Sequence, residues 1–276
     1  MSISAADVNK LRQMTGAGLM DCKKALAETG GDFEAAIDFL RKKGAKISAS
    51  RADRQASEGA VIALTTSDNK TGVIIKLTCE TDFVGKNEAF VAFANEIATA
   101  ALNNQPATLD DLKNLSIAGG TIASRLLDEV AKIGEKIDVV NYELLKGENI
   151  VGYIHGANRL GVLVEMNLAP SEANNAAGKD VAMQIAAMNP VAVDKDGVDS
   201  TTVEREMEIG REQARAEGKP ENIIDKIAQG KLEKFYKDST LLNQEFVKDG
   251  SKTVAKMLND VENGLTVKSF RRIQLG

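Results

Sequence analysis

Gly72-Val73-Ile74-Ile75-Lys76-Leu77 and Gly161-Val162-Leu163-Val164-Glu165-Met166 share one pattern: a glycine, three aliphatic residues, a charge, then another aliphatic residue. Each run is short, rich in branched residues and preceded by turn formers, which predicts a strand with a buried face. Each is also the second arm of a hairpin. Val61-Ile62-Ala63-Leu64 precedes the first across Ser67-Asp68-Asn69-Lys70-Thr71-Gly72. Ile150-Val151-Gly152-Tyr153-Ile154-His155 precedes the second across Gly156-Ala157-Asn158-Arg159-Leu160-Gly161. The segments after the two hairpins are alike as well. Asn87 caps a helix with Phe90, Phe93, Ala94 and Ile97 on one side, and Pro106 breaks the chain. A helix from about Thr121 then carries Ile122, Leu126, Val130 and Ile133, and Ile137-Asp138-Val139-Val140-Asn141-Tyr142 closes as a strand. In the second half Val181, Ile185 and Met188 mark the first helix. Ser251 caps another with Val254, Met257 and Leu258, and Leu265-Thr266-Val267-Lys268-Ser269-Phe270 is the last strand. Hairpin, helix, helix, strand occurs twice. The expected fold is α+β: two related subdomains, each with helices covering one face of an antiparallel sheet. They comprise residues 59–147, and residues 148–192 with 238–276.

The second unit is interrupted at 193–237. Two helical patterns, about Thr202–Glu217 and Glu221–Tyr236, flank Gly218-Lys219-Pro220. Val203, Met207 and Ala214 mark a narrow seam on one, and Ile224, Ile227 and Phe235 on the other. That pattern predicts an antiparallel helical hairpin, coiled-coil in character, projecting from the body. Residues 1–47 predict a three-helix bundle. Ser4 caps the first helix, with Asp7 at the capping-box position and Ile3 and Val8 as the staple. Val8 and Leu11 face inward and Gly16 ends the helix. Leu19, Cys22 and Leu26 mark the second helix, which stops at Gly30-Gly31. Asp32 caps the third, with Phe33, Ile37 and Leu40 on its face and Gly44 at its end. So short a bundle has a marginal core. It is expected on a tether, the small and polar residues 48–58.

With 276 residues, 43% hydrophobic and 27% charged, the chain can build two or three soluble domains. Aromatic residues make up 4% and there is no Trp, so the core must be aliphatic. A net charge of −5 disfavours a nucleic-acid partner, which usually meets a net basic domain. The local run Arg41-Lys42-Lys43 with Lys46, Arg51 and Arg54 reads as a solvated helix end and linker. No apolar run approaches the ~20 residues of a membrane span, and the first residues lack a secretory pattern. Cys22 and Cys79 have no ligand spacing, and both read as reduced thiols of a cytoplasmic protein.

Catalytic chemistry finds little to stand on. There is no phosphate loop, no G-x-G-x-x-G after a strand and no paired Cys/His spacing, so no metal, cofactor or nucleotide of its own is expected. Gly16-Ala17-Gly18 joins two helices and reads as a tight turn. Cys79 sits in an apolar run and reads as buried and inert. His155, the only histidine, stands at a strand end and reads as a surface residue. Thr81-Asp82-Phe83-Val84 is different. It comes after a strand and before the Asn87 cap, a poor place to hide an aromatic ring. Either Asp82 satisfies a turn and Phe83 folds back on the next helix, or the pair projects toward a partner. On residues alone three functions stay open: a protein that works on another protein through this turn, an α+β enzyme using Cys79 or His155, and an adaptor or chaperone working through the helical hairpin.

Leu11-Arg12, Thr15-Gly16-Ala17-Gly18-Leu19-Met20-Asp21-Cys22-Lys23-Lys24-Ala25-Leu26, Gly31-Asp32 and Arg41-Lys42-Lys43-Gly44 form one set of motifs. Cys79-Glu80-Thr81-Asp82-Phe83-Val84-Gly85-Lys86-Asn87, Lys132-Ile133-Gly134-Glu135, His155-Gly156 and Gly161-Val162-Leu163-Val164 form another. Together they resemble the bacterial translation elongation factor Ts family, the nucleotide exchange factors for elongation factor Tu. Lys219-Pro220, Lys231 to Phe235 and Ser251-Lys252-Thr253-Val254 also fit, so the resemblance covers essentially the whole chain. It implies a ubiquitin-associated-like bundle that docks on the partner's GTPase domain, with Leu11, Thr15, Gly16, Leu19 and Met20 as binding candidates. It implies that Thr81, Asp82, Phe83 and Val84 insert near the partner's Mg²⁺ site and displace the ion, releasing GDP so that GTP can rebind. Ile133 and His155 are further partner-binding candidates, His155 in a second subdomain that grips another partner domain. The helical hairpin would be the family's variable dimerisation or coiled-coil element, which leaves a homodimer or a 2:2 complex open. Leu19 stands where some members have Met, a tolerated swap. Members with an extra C-terminal helical module have more sequence after the final strand, so that module's contact is not expected here.

Overall fold

The computed structural model describes residues 3–51 and 53–276; Met1, Ser2 and Ala52, which fall in the expected bundle and tether, lie outside the described residues. The chain opens with α1 (Ala5–Thr15), α2 (Leu19–Glu28) and α3 (Phe33–Ser50). Ser4 Oγ accepts from Asp7 N at 3.1 Å while Asp7 Oδ2 accepts from Ser4 N at 3.3 Å, so the capping box closes with Asp in place of Glu. Gly16 ends α1 at φ 68°, a conformation that favours glycine, and its N–H donates to Arg12 O at 2.7 Å. Val8, Leu11, Cys22, Ala25, Leu26, Ala36 and Leu40 make the bundle's core. Leu19 was expected on the inner face of α2, but as the first residue of the helix it lies outside that core and is exposed.

The first unit runs β1 (Glu58–Thr65), β2 (Thr71–Cys79), α4 (Asp82–Gly85), α5 (Glu88–Asn104), α6 (Leu109–Asn114), β3 (Ser116–Ile117), β4 (Gly120–Thr121), α7 (Ile122–Ile133) and β5 (Asp138–Lys146). The second runs β6 (Asn149–His155), β7 (Leu160–Met166), α8 (Glu172–Met188), α9 (Ser200–Ala216), α10 (Glu221–Ser239), β8 (Glu245–Phe246), β9 (Asp249–Thr253), α11 (Val254–Val261) and β10 (Val267–Gln274). The sheets are antiparallel, in the orders β1-β2-β5 and β6-β7-β10. The α+β class and the doubled plan read from sequence are therefore what the chain adopts. In the first unit Val73, Ile75 and Leu77 pack under Phe90, Ile97 and Leu126; in the second Val162, Val164 and Met166 pack with Val181, Ile185 and Leu258.

The correspondence reaches single positions. The buried residues of α5, Phe90, Phe93, Ala94, Ile97, Ala98 and Ala101, recur at the same spacing in α8 as Asn174, Ala177, Gly178, Val181, Ala182 and Ile185. Both helices end on a left-handed residue before proline, Gln105-Pro106 and Asn189-Pro190. A bulge interrupts the last strand of each sheet at the same point: Val140 opposite the Lys76–Leu77 step and Lys268 opposite Glu165–Met166.

The sheet faces turned away from the helices meet each other. Val61, Ile74, Leu145, Ile150, Leu163, Ile273 and Leu275 form a buried layer between the units, each side chain contributing about 1.5–3 kcal/mol relative to exposure. This layer explains the shared glycines. A Cβ on Gly72 would stand 2.6 Å from Ile150 Cγ2, and one on Gly161 would stand 2.8 Å from both Ile74 Cδ1 and Val61 Cγ1. Each glycine makes room for the other unit's side chains. The hairpin tips are exchanged too. Val61 N donates to Asn158 O at 2.8 Å and Ile150 N donates to Asn69 O at 2.6 Å. Arg159 pairs with Glu58 and Lys70 with Glu148, both at 2.6 Å.

Several local expectations are corrected. Gly44 does not end α3: the helix continues to Ser50 because Gly44 is a contact position, where a Cβ would stand 2.5 Å from Leu127 O on α7. The bundle is thus laid against the first unit through α3 rather than held on a free tether. Part of the basic run is engaged internally, Arg41 with Asp128 at 3.4 Å, Lys43 with Asp21, and Arg51 and Arg54 with Glu80, while Lys42 and Lys46 are exposed as a solvated helix end would be. Met188, expected inside, is exposed at the end of α8. Ser251 lies in β9, and Thr253 caps α11, its Oγ1 accepting from Lys256 N at 3.2 Å. The α9–α10 seam is built on Gly210, Ala214, Ile224, Ala228 and Leu232, with Val203, Met207, Ile227 and Phe235 half-buried at its margins. Gly210 sets its closeness: a Cβ there would stand 3.0 Å from Ala228 Cα.

Candidate functional site

The Thr81–Val84 stretch forms the start of α4, wedged between β2 and α5. Its base is fixed. Thr81 Oγ1 accepts from Val84 N at 3.5 Å, and Cys79 Sγ donates to Thr81 O at 3.2 Å. Val84 is half-buried and packs on the first unit's core, so it anchors the turn rather than presenting itself. Gly85 lies against β1, where a Cβ would stand 3.0 Å from Gly59 N and O. Above this base Phe83 stands 85% exposed. Asp82 Oδ2 accepts from Lys86 Nζ at 2.6 Å, and that hydrogen bond and charge hold the Asp82 carboxyl below its usual range. The projecting alternative is the one the fold adopts; Phe83 does not fold back on α5.

Glu135 reaches the same base from beyond the end of α7. Its Oε2 accepts from Glu80 N and Thr81 N, both at 3.0 Å, and its Oε1 accepts from Thr81 Oγ1 at 2.6 Å. In return Glu80 Oε1 accepts from Lys136 N at 2.7 Å, and Arg51 and Arg54 donate to the Glu80 carboxylate. Burial raises the Glu80 carboxyl, but these donors outweigh it and bring it down to about 2.

The second exposed apolar patch joins α1 to α2. Met14 is 57%, Leu19 48% and Met20 72% exposed. Thr15 is half-buried, its Oγ1 donating to Leu11 O at 2.8 Å, and exposed Gly16 lies beneath the Lys132 side chain. Leu11, expected at the partner interface, is wholly buried: it shapes the bundle and offers no surface. Ile133 is half-buried on the first unit's core. The end of α7 therefore runs between the two patches, Lys132 beside Gly16 and Glu135 at Thr81. His155 is exposed, its Nδ1 2.9 Å from the Tyr153 hydroxyl. It opens the hairpin tip whose Arg159 pairs with Glu58 and feels the charge of Asp82. Met14, Glu135 and Arg159 adjoin the candidate site, and the sequence reading assigns none of them a role, although Glu135 closes the Lys132–Glu135 motif. Met14 carries a signal, since it falls off the Val8–Leu11 face of its helix.

Nothing here favours nucleophilic chemistry. The Cys79 thiol is pushed up to about 12, first by burial and then by the charges of Glu135 and Glu58. Among the described residues no group of three His, Cys, Asp or Glu side chains could hold a metal ion. Among them, too, no helix is long and apolar enough to cross a membrane.

The family profile described as Elongation factor TS matches residues 80–276. A curated Elongation factor Ts from Cytophaga hutchinsonii is 54% identical over 99% of both chains. Those from Amoebophilus asiaticus and Flavobacterium psychrophilum are 53% identical over 100% of both chains and 48% identical over 100% of this chain and 99% of the relative. The chain belongs to the elongation factor Ts family. Elongation factor Ts is a nucleotide exchange factor of translation elongation, which places this protein in protein biosynthesis. The profile match opens at Glu80, so the Phe83 turn stands at its start. The Met14–Met20 patch lies before it and is covered by the full-length elongation factor Ts relatives.

Proposed function

We propose that the protein promotes nucleotide exchange on elongation factor Tu by docking through the Met14–Met20 patch and presenting Phe83 as a wedge at the partner's Mg²⁺ site. The observation that carries this reading is an aromatic side chain 85% exposed on a turn whose base is fixed by hydrogen bonds. A monomeric core has no use for such a ring. In a GTPase, Mg²⁺ bridges the nucleotide phosphates and protein ligands, so displacing it leaves the phosphate charge poorly neutralised. Exchange on this reading is a binding reaction with no covalent step. A factor that prefers the nucleotide-free partner weakens nucleotide binding by the same ratio.

Magnitudes say how much surface is needed. A shift of about 10⁴ takes about 5.5 kcal/mol of differential binding, and one buried Phe supplies ~2–3 kcal/mol. The turn cannot act alone. Supporting contacts come from the Met14–Met20 patch and from the second unit's hairpin tip at His155 and Arg159, which the fold holds on either side of the α7 end and the turn. The test is release of fluorescent GDP from elongation factor Tu. Phe83→Ala is expected to slow release about tenfold or more in Mg²⁺, as loss of over 1.4 kcal/mol would, and the defect shrinks when Mg²⁺ is chelated. A Phe83→Ala protein that exchanges normally in Mg²⁺ overturns the reading.

A further inference from the structure

Among the groups that hold the base of the Phe83 turn from outside its own segment, one carboxylate sits where helix electrostatics disfavour it. Gly134 caps α7 at φ 80°, and Glu135 comes immediately after it. A negative charge beside a helix C-terminus is repelled by the helix dipole, so Glu135 does not serve α7. It is half-buried and its oxygens take the two backbone N–H groups and the hydroxyl of Glu80 and Thr81. Those N–H groups lie just past the end of β2 and just before α4. Hydrogen bonds to a carboxylate are about twice as strong as neutral ones.

We infer that Glu135 is the positioning residue that sets the direction of the Phe83 wedge and ties it, through α7, to the docking bundle. The inference rests on the exchange reading above. α7 is a strut with both functional patches on it: α3 lies directly on it at Gly44, Lys132 covers Gly16 beside the exposed Met14–Met20 surface, and Glu135 grips the turn. When the bundle docks, the strut fixes where Phe83 arrives. Removing the grip should therefore spare docking and impair the later insertion of the ring.

Glu135→Ala and Glu135→Gln are measured in GDP release from elongation factor Tu across a range of factor concentrations. Glu135→Ala is expected to lower the saturating rate by about tenfold while the half-saturating concentration stays within about twofold. Glu135→Gln keeps an amide oxygen for the two N–H groups and an N–H for Thr81 Oγ1, and should return the rate to within about threefold of the unaltered protein. Hydrogen exchange of the segment 79–87 should rise in Glu135→Ala and not elsewhere. The Phe83→Ala, Glu135→Ala double variant should be no slower than Phe83→Ala alone, because Glu135 acts through the ring. A slow Phe83→Ala with a normal Glu135→Ala overturns the positioning role and leaves the wedge standing. Normal exchange in both overturns the wedge itself. A loss that multiplies in the double variant, or hydrogen exchange raised throughout the protein, makes Glu135 a general structural residue and overturns the inference.

Discussion

The two units share their packing and differ in what they add to it. Eleven positions separate Leu77 from Glu88 in the first, and six separate Met166 from Glu172 in the second. The five extra positions hold the Phe83 turn. The second unit instead adds α9 and α10 between α8 and the Leu241–Asn243 turn. Equivalent residues, such as Gly72 and Gly161 or Ile97 and Val181, are all explained by the core or by the layer between sheets. The exposed aromatic has no equivalent. Duplication thus separates what the fold requires from what was added to it.

The sharpest way to break this comparison uses two phenylalanines. Phe90→Ala, in the duplicated helix, should cost about 3–5 kcal/mol of stability, while Phe83→Ala, in the unduplicated turn, should cost under about 1 kcal/mol. Urea midpoints of both variants decide it, and similar losses would return Phe83 to the core. Next come the glycines of the inter-sheet layer. Gly72→Val and Gly161→Val should each cost about 2–3 kcal/mol by overpacking, since each meets a β-branched side chain of the other unit that has little freedom to move, Ile150 at Gly72 and Val61 at Gly161. Equal stability in one of them would show that the packing is not reciprocal. A smaller effect is expected where the second unit differs. Replacing residues 199–238 by a short Gly/Ser linker should leave one cooperative melt and change stability by under about 1 kcal/mol. The ends of the insertion are already joined, Leu241 N donating to Ala192 O and Val191 N to Ser239 O, both at 2.9 Å. Loss of the transition would make α9 and α10 part of the core.

The finest test is electrostatic and concerns Glu80, at the root of the extra segment. Its folded value of about 2 lies below its ordinary 4.5. A depressed carboxyl contributes stability that is complete above the unfolded value and lost as pH falls through the folded one. The contribution of Glu80 should therefore fade between about 4.5 and about 2. Glu80→Gln should lower the urea midpoint at pH 6 and much less at pH 3. An equal deficit at both would show that the charge is not what binds Arg51, Arg54 and Lys136.

The doubled plan is legible because hydrophobic period and turn chemistry are local: the two Gly-initiated strands, the Asn87 cap and the Gly16 stop need no distant partner. Phe83 is legible as out of place for the same reason. The readings that fail depend on a residue far along the chain. Gly44 looks like a helix stop until Leu127 O is set against it. Glu135 reads as an ordinary charge after a helix until Thr81, on another strand end, is brought to it. Leu11 faces inward by its helical period, as the bundle has it, and only its place among motif residues makes it a partner-binding candidate; motif membership does not distinguish a residue that touches a partner from one that shapes the element doing so. Ser251 and Thr253 are both plausible caps by composition; pairing of β9 with β8 decides between them.

The exchanged hairpin tips bear on how the chain is made. Synthesis delivers the first unit complete at Lys146, but the outer face of its sheet, Val61 and Ile74, is covered by residues of the second, Ile150, Leu163 and Ile273 among them, and Val61 N waits for Asn158 O. Until β6 and β7 leave the ribosome, the half-made protein carries an open apolar sheet and an unmatched strand edge, the features that recruit chaperones or seed aggregation. A factor that serves elongation thus depends, for its own folding, on steady elongation through β7 and, for the part of the cover that Ile273 supplies, on to β10.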